Sequence, residues 1–236
     1  MANEFKATDQ FETSFETIKG VALMLGEPEW LAPAKLPLTN SISCATVVLM
    51  GGHFESFLKS IIEEFIGEVN DINMLTPKIP HFMRIKHFTK GSEYLRKLAK
   101  RERNSQEQPT NSEAFMGKLA LLGPGPKGQL AWEAFSDTQS NPSPEVIKEL
   151  LKDVGAESSW SEINKLFTQQ GALHLLLTSF LEMRNICAHT GKHPSPPTGQ
   201  SLQENADMLI KISECIDILL SIRLEQFRLQ KVSPEI

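Results

Sequence analysis

Near the end of an otherwise apolar stretch stand Arg184, Asn185 and His189, within the run Leu181-Glu182-Met183-Arg184-Asn185-Ile186-Cys187-Ala188-His189-Thr190-Gly191. An imidazole exchanges its proton near neutral pH and so can serve as a general acid or base. A guanidinium presents a planar fork that suits an oxyanion such as a phosphate. On a helix, at about 100° per residue, Asn185 and His189 share a face, while Arg184 is offset and has to reach round with its long side chain. All three can border one pocket. A plainer account fits the same residues, with Arg184 paired to Glu182 or Glu55 and His189 serving only to cap the helix end.

Neighbouring residues with chemical potential read as structural. Cys187 sits in an apolar helix and is a small core residue rather than a nucleophile. His174, between Leu173 and Leu175, is likewise a packing residue. His189 and His193 are spaced like a metal pair, but Gly191 and Pro194 break the helix such a pair requires, so no metal site is assigned. The run Gly123-Pro124-Gly125-Pro126-Lys127-Gly128 lacks the Gly-Lys-Ser/Thr ending of a phosphate loop, and its prolines remove amide donors, which makes it a turn or linker. No cofactor motif is present.

The elements that position Arg184, Asn185 and His189 are helical. In the 236 residues, 40% are apolar, ample for a core. Phe11, Phe15, Ile18 and Ala22 recur at spacings of three and four until Gly26 and Pro28, which predicts a first helix, followed by a proline-broken loop over 30–37. A second helix is expected from Asn40 or Ser41 to about Val69, with Leu49, His53, Phe54, Phe57, Leu58, Ile61, Ile62 and Phe65 on a wide apolar face. A short helix follows over 92–103, then a polar stretch over 104–111. Ser143-Pro144-Glu145 caps another, marked by Val146, Leu150 and Val154. The apolar stretch 171–189 ends at Gly191, and Ser201-Leu202-Gln203-Glu204 reads as a capping box opening a last helix with Leu202, Ala206, Leu209, Ile216, Leu220 and Phe227 on one face. With no alternating segment anywhere, the fold class is all-α: one helical bundle over 1–236, its core about 40–69 and 171–230, with 105–160 an irregular middle insertion.

Three distant cysteines encode neither a disulfide framework nor a zinc site, as expected of a reducing, cytoplasmic setting, and no signal-type start or membrane-length apolar run is read, so no membrane partner is expected. A net charge of -5 excludes a whole-surface nucleic-acid coat. A local basic segment is nevertheless present over 81–104, where Arg84, Lys86, Lys90, Arg96, Lys97, Lys100, Arg101 and Arg103 face only Glu93 and Glu102. It reads as a solvated helix face, an RNA-backbone track, or a surface for an acidic partner. Phe82, Phe88 and Tyr94 are its only stacking candidates.

Arg184 and His189, with the polar Asn185 directly after the arginine, form an R-x4-H pattern late in an apolar helix that another long helix follows. Together with Gly52-His53-Phe54-Glu55-Ser56-Phe57-Leu58-Lys59, which is similar to the opening core helix of bacterial HEPN proteins, this chain resembles the HEPN superfamily over about 40–68 and 171–227. The resemblance implies a homodimer in which two such motifs face each other and cut RNA without metal or cofactor. In that reading Arg184 holds phosphate oxygens, His189 moves protons, its helix end favouring the cationic form, Asn185 orients one of these groups, and Glu55 supports Arg184 from the facing helix. The RNA-contacting residues would be Arg84, Lys86, Arg96, Lys97, Lys100 and Arg101.

The biological role implied is a toxin-antitoxin or antiphage effector, silenced by an antitoxin or regulatory protein in trans. In some HEPN toxins a tyrosine two residues after the histidine is modified. Here that position is Gly191 and Tyr94 is the sole tyrosine, so the chain departs from that pattern. The alternative is a HEPN-like nucleotide- or protein-binding dimerisation module that cuts nothing, and a third reading is an antitoxin or adaptor that blocks a basic partner with its acidic surface.

Overall fold

The recurrence of Phe11, Phe15, Ile18 and Ala22 is realised as a buried helical stripe, and the same holds along the chain. A computed structural model describes residues 4–105, 110–122, 127–138, 141–156, 159–166 and 172–232. These form α1 (Lys6–Leu25), α2 (Leu36–Asp71), α3 (His81–Ser105), α4 (Thr110–Ala120), α5 (Pro144–Asp153), α6 (Ser159–Leu166), α7 (Leu173–Thr190) and α8 (Gly199–Val232), with 3-10 turns at Thr76–Lys78 and Trp132–Ala134. No strand occurs among the described residues, so the fold is all-α. Residues 106–109, within the expected polar stretch, and 123–126, within the expected turn, lie outside the described residues.

Three helix starts differ from the sequence expectation, each for a local reason. α2 begins at Leu36 rather than near Asn40, because Pro37 falls in the first turn, where the missing N–H would have had no helical acceptor. α3 begins at His81, eleven residues before the expected start. Its buried face is Met83, His87 and Gly91, two of which carry no apolar signal. α8 is capped by Thr198, whose hydroxyl accepts the Ser201 N–H at 3.1 Å, so the cap lies three residues before the expected box. The Ser143 cap of α5 forms as read, accepting the Val146 N–H at 3.3 Å.

Close contacts divide the chain into two units. The first comprises Met1–Ile61, Thr138–Lys148 and Ser158–Leu219. Its core packs Phe11 against Phe15 and Phe57, with tilted rings whose centroids are 4.4 and 4.9 Å apart, and buries Phe54, Phe180 and Leu209. Phe5 precedes α1 and offers no capping oxygen. Asp217 of α8 holds the segment leading into the helix, accepting the Glu4 and Phe5 amides at 3.2 Å and the Thr8 hydroxyl at 2.7 Å. Leu49, expected on the apolar face of α2, is 53% exposed, on a stripe with Ala45, Gly52 and Ser56. α2 is long and apolar enough to cross a membrane by length and composition, and half of its most apolar window is buried as core.

The second unit comprises Ile62–Asp137, Glu149–Glu157 and Leu220–Ile236. Phe65 meets Phe227 at 6.3 Å, and Phe115, Leu119 and Ala131 form a smaller cluster covered by Tyr94. Gly91 admits the Leu119 side chain against the α3 backbone: a Cβ there would lie 2.4 Å from Leu119 Cδ2. Glu102 caps α4, accepting the Asn111 and Ser112 amides at 2.8 and 3.1 Å. His87 is fully buried. Its Nδ1 accepts the Ala131 N–H at 3.0 Å, which leaves Nε2 to donate to the Leu119 carbonyl at 3.1 Å.

Burial holds the His87 imidazole below its usual value of 6.5, against the Leu119 bond and the Glu133 charge, which raise it. A group depressed in this way stabilises the fold fully above its unfolded-state value, and that contribution is lost as pH falls through the folded-state value. Urea unfolding is therefore expected to show lower stability below pH 6.5 than above it. His87→Ala, which orphans two buried backbone groups, is expected to lose about 2–4 kcal/mol above that value and to show a shallower fall below it.

Candidate functional site

α7 ends where Gly191 turns into the left-handed region, with φ 68°, and its N–H bonds the Cys187 carbonyl at 2.9 Å. Thr190 closes the same turn through its hydroxyl on the Ile186 carbonyl. His189 is left exposed at the end of the helix, on the face that also presents Leu175, Ser179 and Ile186.

Arg184 points the other way. Its side chain lies across Gly51 of α2, where a Cβ would stand 3.0 Å from Arg184 Cγ and 3.2 Å from Nε. The absence of a side chain at Gly51 is what gives the arginine its bed. Arg184 Nη1 donates to Asn185 Oδ1 at 3.1 Å, while the buried Nε has no hydrogen-bond partner among the described residues. The structure thus joins Arg184 to Asn185 directly and sets His189 one turn on, on the solvent side of the same helix. Gly51 was not singled out from the sequence, although the Gly51-Gly52 doublet inside an apolar helix was its signal.

Glu55 is half-buried on α2, and its carboxylate accepts Lys59 Nζ at 2.7 Å and the Thr138 hydroxyl at 3.0 Å. Burial pushes its carboxyl up. The Lys59 and Thr138 bonds and the Lys59 and Arg184 charges outweigh this and hold it below the usual carboxylate value. Arg184 therefore acts on Glu55 through space, and no direct bond joins the two among the described residues. The plain ion-pair account of Arg184 finds no support in this arrangement. Thr138 was not singled out from the sequence, being far from Glu55 along the chain.

Cys187 is buried beside Cys44, and burial first, then the neighbouring thiol, push it up to about 12, which makes it a packing residue and no nucleophile. His193 lies beyond the helix, where Nδ1 accepts the Ser195 N–H at 3.1 Å. Among the described residues no group of three His, Cys, Asp or Glu is placed to hold a metal ion.

The basic residues of α3 divide into two sets. Arg84 donates to the Ile79 carbonyl at 3.1 Å, Lys86 pairs with Asp153 at 2.5 Å, and Lys97 reaches Asp137 at 3.2 Å. Arg96, Lys100 and Arg101 are exposed and form no ion pair among the described residues.

The fold is an all-α module whose α7 carries Arg184 bonded to Asn185, with His189 exposed near the end of the same helix. A family model described as RiboL-PSP-HEPN matches residues 36–221, from the start of α2 into α8, and the chain belongs to that HEPN family. Ribonucleases and nucleotide-binding modules are both found among such domains. No curated protein and no solved structure matches the chain.

A buried donor without an acceptor costs on the order of 1–3 kcal/mol. Arg184→Met keeps the alkyl chain over Gly51 and removes that donor, so it is expected to unfold in urea at the same midpoint as the wild type or slightly higher, by up to about 1 kcal/mol. A loss above that size would make Arg184 a structural residue.

Proposed function

We propose that this protein is a metal-independent endoribonuclease whose site is completed by a second copy of the chain. The observation that carries the reading is the state of α7 in one protomer. Arg184 is pre-set over Gly51 with a donor unspent, Asn185 is bonded to it, and His189 stands exposed. The exposed face of α7 bears Leu175 and Ile186, and that of α2 bears Ala45, Leu49 and Gly52. Apolar and small residues of this kind suit a self-complementary contact about a two-fold axis. Such a contact would bring two copies of Arg184, Asn185 and His189 to one cleft.

The chemistry follows from the side chains. One His189 takes the proton of a ribose 2′-hydroxyl, whose oxygen bonds to the adjacent phosphorus. The bond from phosphorus to the 5′-oxygen breaks, and the other copy's His189 protonates that leaving oxygen. Arg184 binds the non-bridging oxygens as their charge grows, and Asn185 holds the guanidinium in plane. The products are a 2′,3′-cyclic phosphate and a 5′-hydroxyl. An effector role in a toxin-antitoxin or antiphage system, with a silencing partner, is the part of this proposal that rests on the HEPN family match.

Purified protein incubated with cellular RNA in EDTA is expected to yield discrete fragments ending in cyclic phosphate, and His189→Ala and Arg184→Met are each expected to lose activity by at least about 100-fold while remaining folded. Ile186→Glu should shift the protein to monomer in sedimentation and lose activity with it. RNA that stays intact in the wild type, with nucleotide binding retained, would instead make the chain a binding module.

A further inference from the structure

α3 carries a face that neither the fold nor the α7 site uses. At about 100° per residue, Phe82, Ile85, Thr89, Arg96, Lys100 and Arg103 fall within roughly 60° of one another, opposite the buried Met83, His87 and Gly91. The face changes character along its length. Its first half is apolar and exposed, Phe82 at 42% and Ile85 at 50%, and borders a cleft of about 470 Å³ with Lys86, Lys152 and Asp153 on its other side. Its second half is cationic: Arg96, Lys100 and Arg103 form no ion pair among the described residues, and no carboxylate is exposed on α3 beyond Glu93.

We propose that this face binds single-stranded RNA, with a nucleobase entering the cleft against Phe82 and Ile85 and the phosphates of the neighbouring nucleotides lying along Arg96, Lys100 and Arg103. It deepens the endoribonuclease reading, on whose choice of RNA as substrate it rests, by naming where the strand is held. A flat aromatic ring at the mouth of a cleft offers a stacking surface to any base. The Lys86–Asp153 pair at the cleft edge, 2.5 Å apart, places one donor and one acceptor where the edge of a base would lie. Cations recurring every three or four residues then follow a backbone whose charge also recurs. An unstacked strand fits this arrangement, whereas a duplex keeps its bases out of the cleft.

The test is fluorescence anisotropy of short labelled single-stranded RNA and of the matching duplex, across a salt series, in the full chain carrying His189→Ala so that nothing is cut. The single strand is expected to bind more tightly than the duplex. Phe82→Ala should weaken it by about 5- to 100-fold with the salt slope unchanged. The triple change Arg96→Ser, Lys100→Ser and Arg103→Ser should lower the slope of log affinity against log salt by about two. All these side chains are exposed, and unchanged melting temperatures check that the variants fold.

Binding left intact by both variants overturns the proposal, as does duplex bound as tightly as single strand. So does an oligoglutamate peptide that binds the wild type in RNA's place and is lost in the triple variant, which would make the face a protein-docking surface. Cleavage by the chain with His189 intact is scored separately. Cleavage unaffected by the α3 variants removes this proposal alone, and binding as expected without any cleavage removes only the nuclease reading.

Discussion

The first amides of every helix lack acceptors within that helix, and a chain built only of helices has to find acceptors for all of them. At two helix starts a carboxylate from elsewhere in the chain holds the backbone, inside the first turn for α4 and just before it for α1. Asp217 of α8 takes the amides of Glu4 and Phe5 and the hydroxyl of Thr8, so the start of α1 is set by a residue more than two hundred positions away. Glu102 does the same for α4 from within α3. A carboxylate at a helix start gains from the helix dipole as well as from its hydrogen bonds. In each unit, then, a polar contact fixes the position of a helix whose apolar face would otherwise tolerate small slides.

His87 extends the principle to a segment without regular structure. Its neutral ring bonds the backbone at both Leu119 and Ala131, and Asn70 pairs through both ends of its amide with Leu130. Residues 127–138 are thereby stitched to helices through backbone groups that packing alone would leave unsatisfied. Four buried side-chain atoms lack a hydrogen-bond partner among the described residues: Glu133 Oε2, Asn164 Oδ1, His174 Nδ1 and Arg184 Nε. The aliphatic part of Arg184 is seated over Gly51, and its Nε is buried without a hydrogen-bond partner among the described residues.

The exposed surfaces carry the complementary information. α7 and α2 each leave small and apolar residues facing solvent, while α3 combines exposed aromatic and cationic residues on one face. Neither pattern is explained by the core. The two patterns differ in chemistry, one small and apolar, the other aromatic and cationic.

Helical class, the stripes of α1 and α8, the apolar run that forms α7, the Ser143 cap and the end at Gly191 were legible in the sequence, because periodicity and capping residues are local properties. Membership of the HEPN superfamily was legible for the same reason. The start of α3 was not, since a histidine and a glycine on its buried face hide the period, and Leu49 was misplaced because a helix with apolar residues all round does not declare which side is covered. Nor could spacing along the chain show that Gly51 receives Arg184, that Thr138 reaches Glu55, or that Lys86 is already engaged by Asp153 while Arg96, Lys100 and Arg101 stay open. Those are contacts between residues distant in sequence, and only the packing of one helix on another decides which side chains meet, which are buried and which remain free to bind something else.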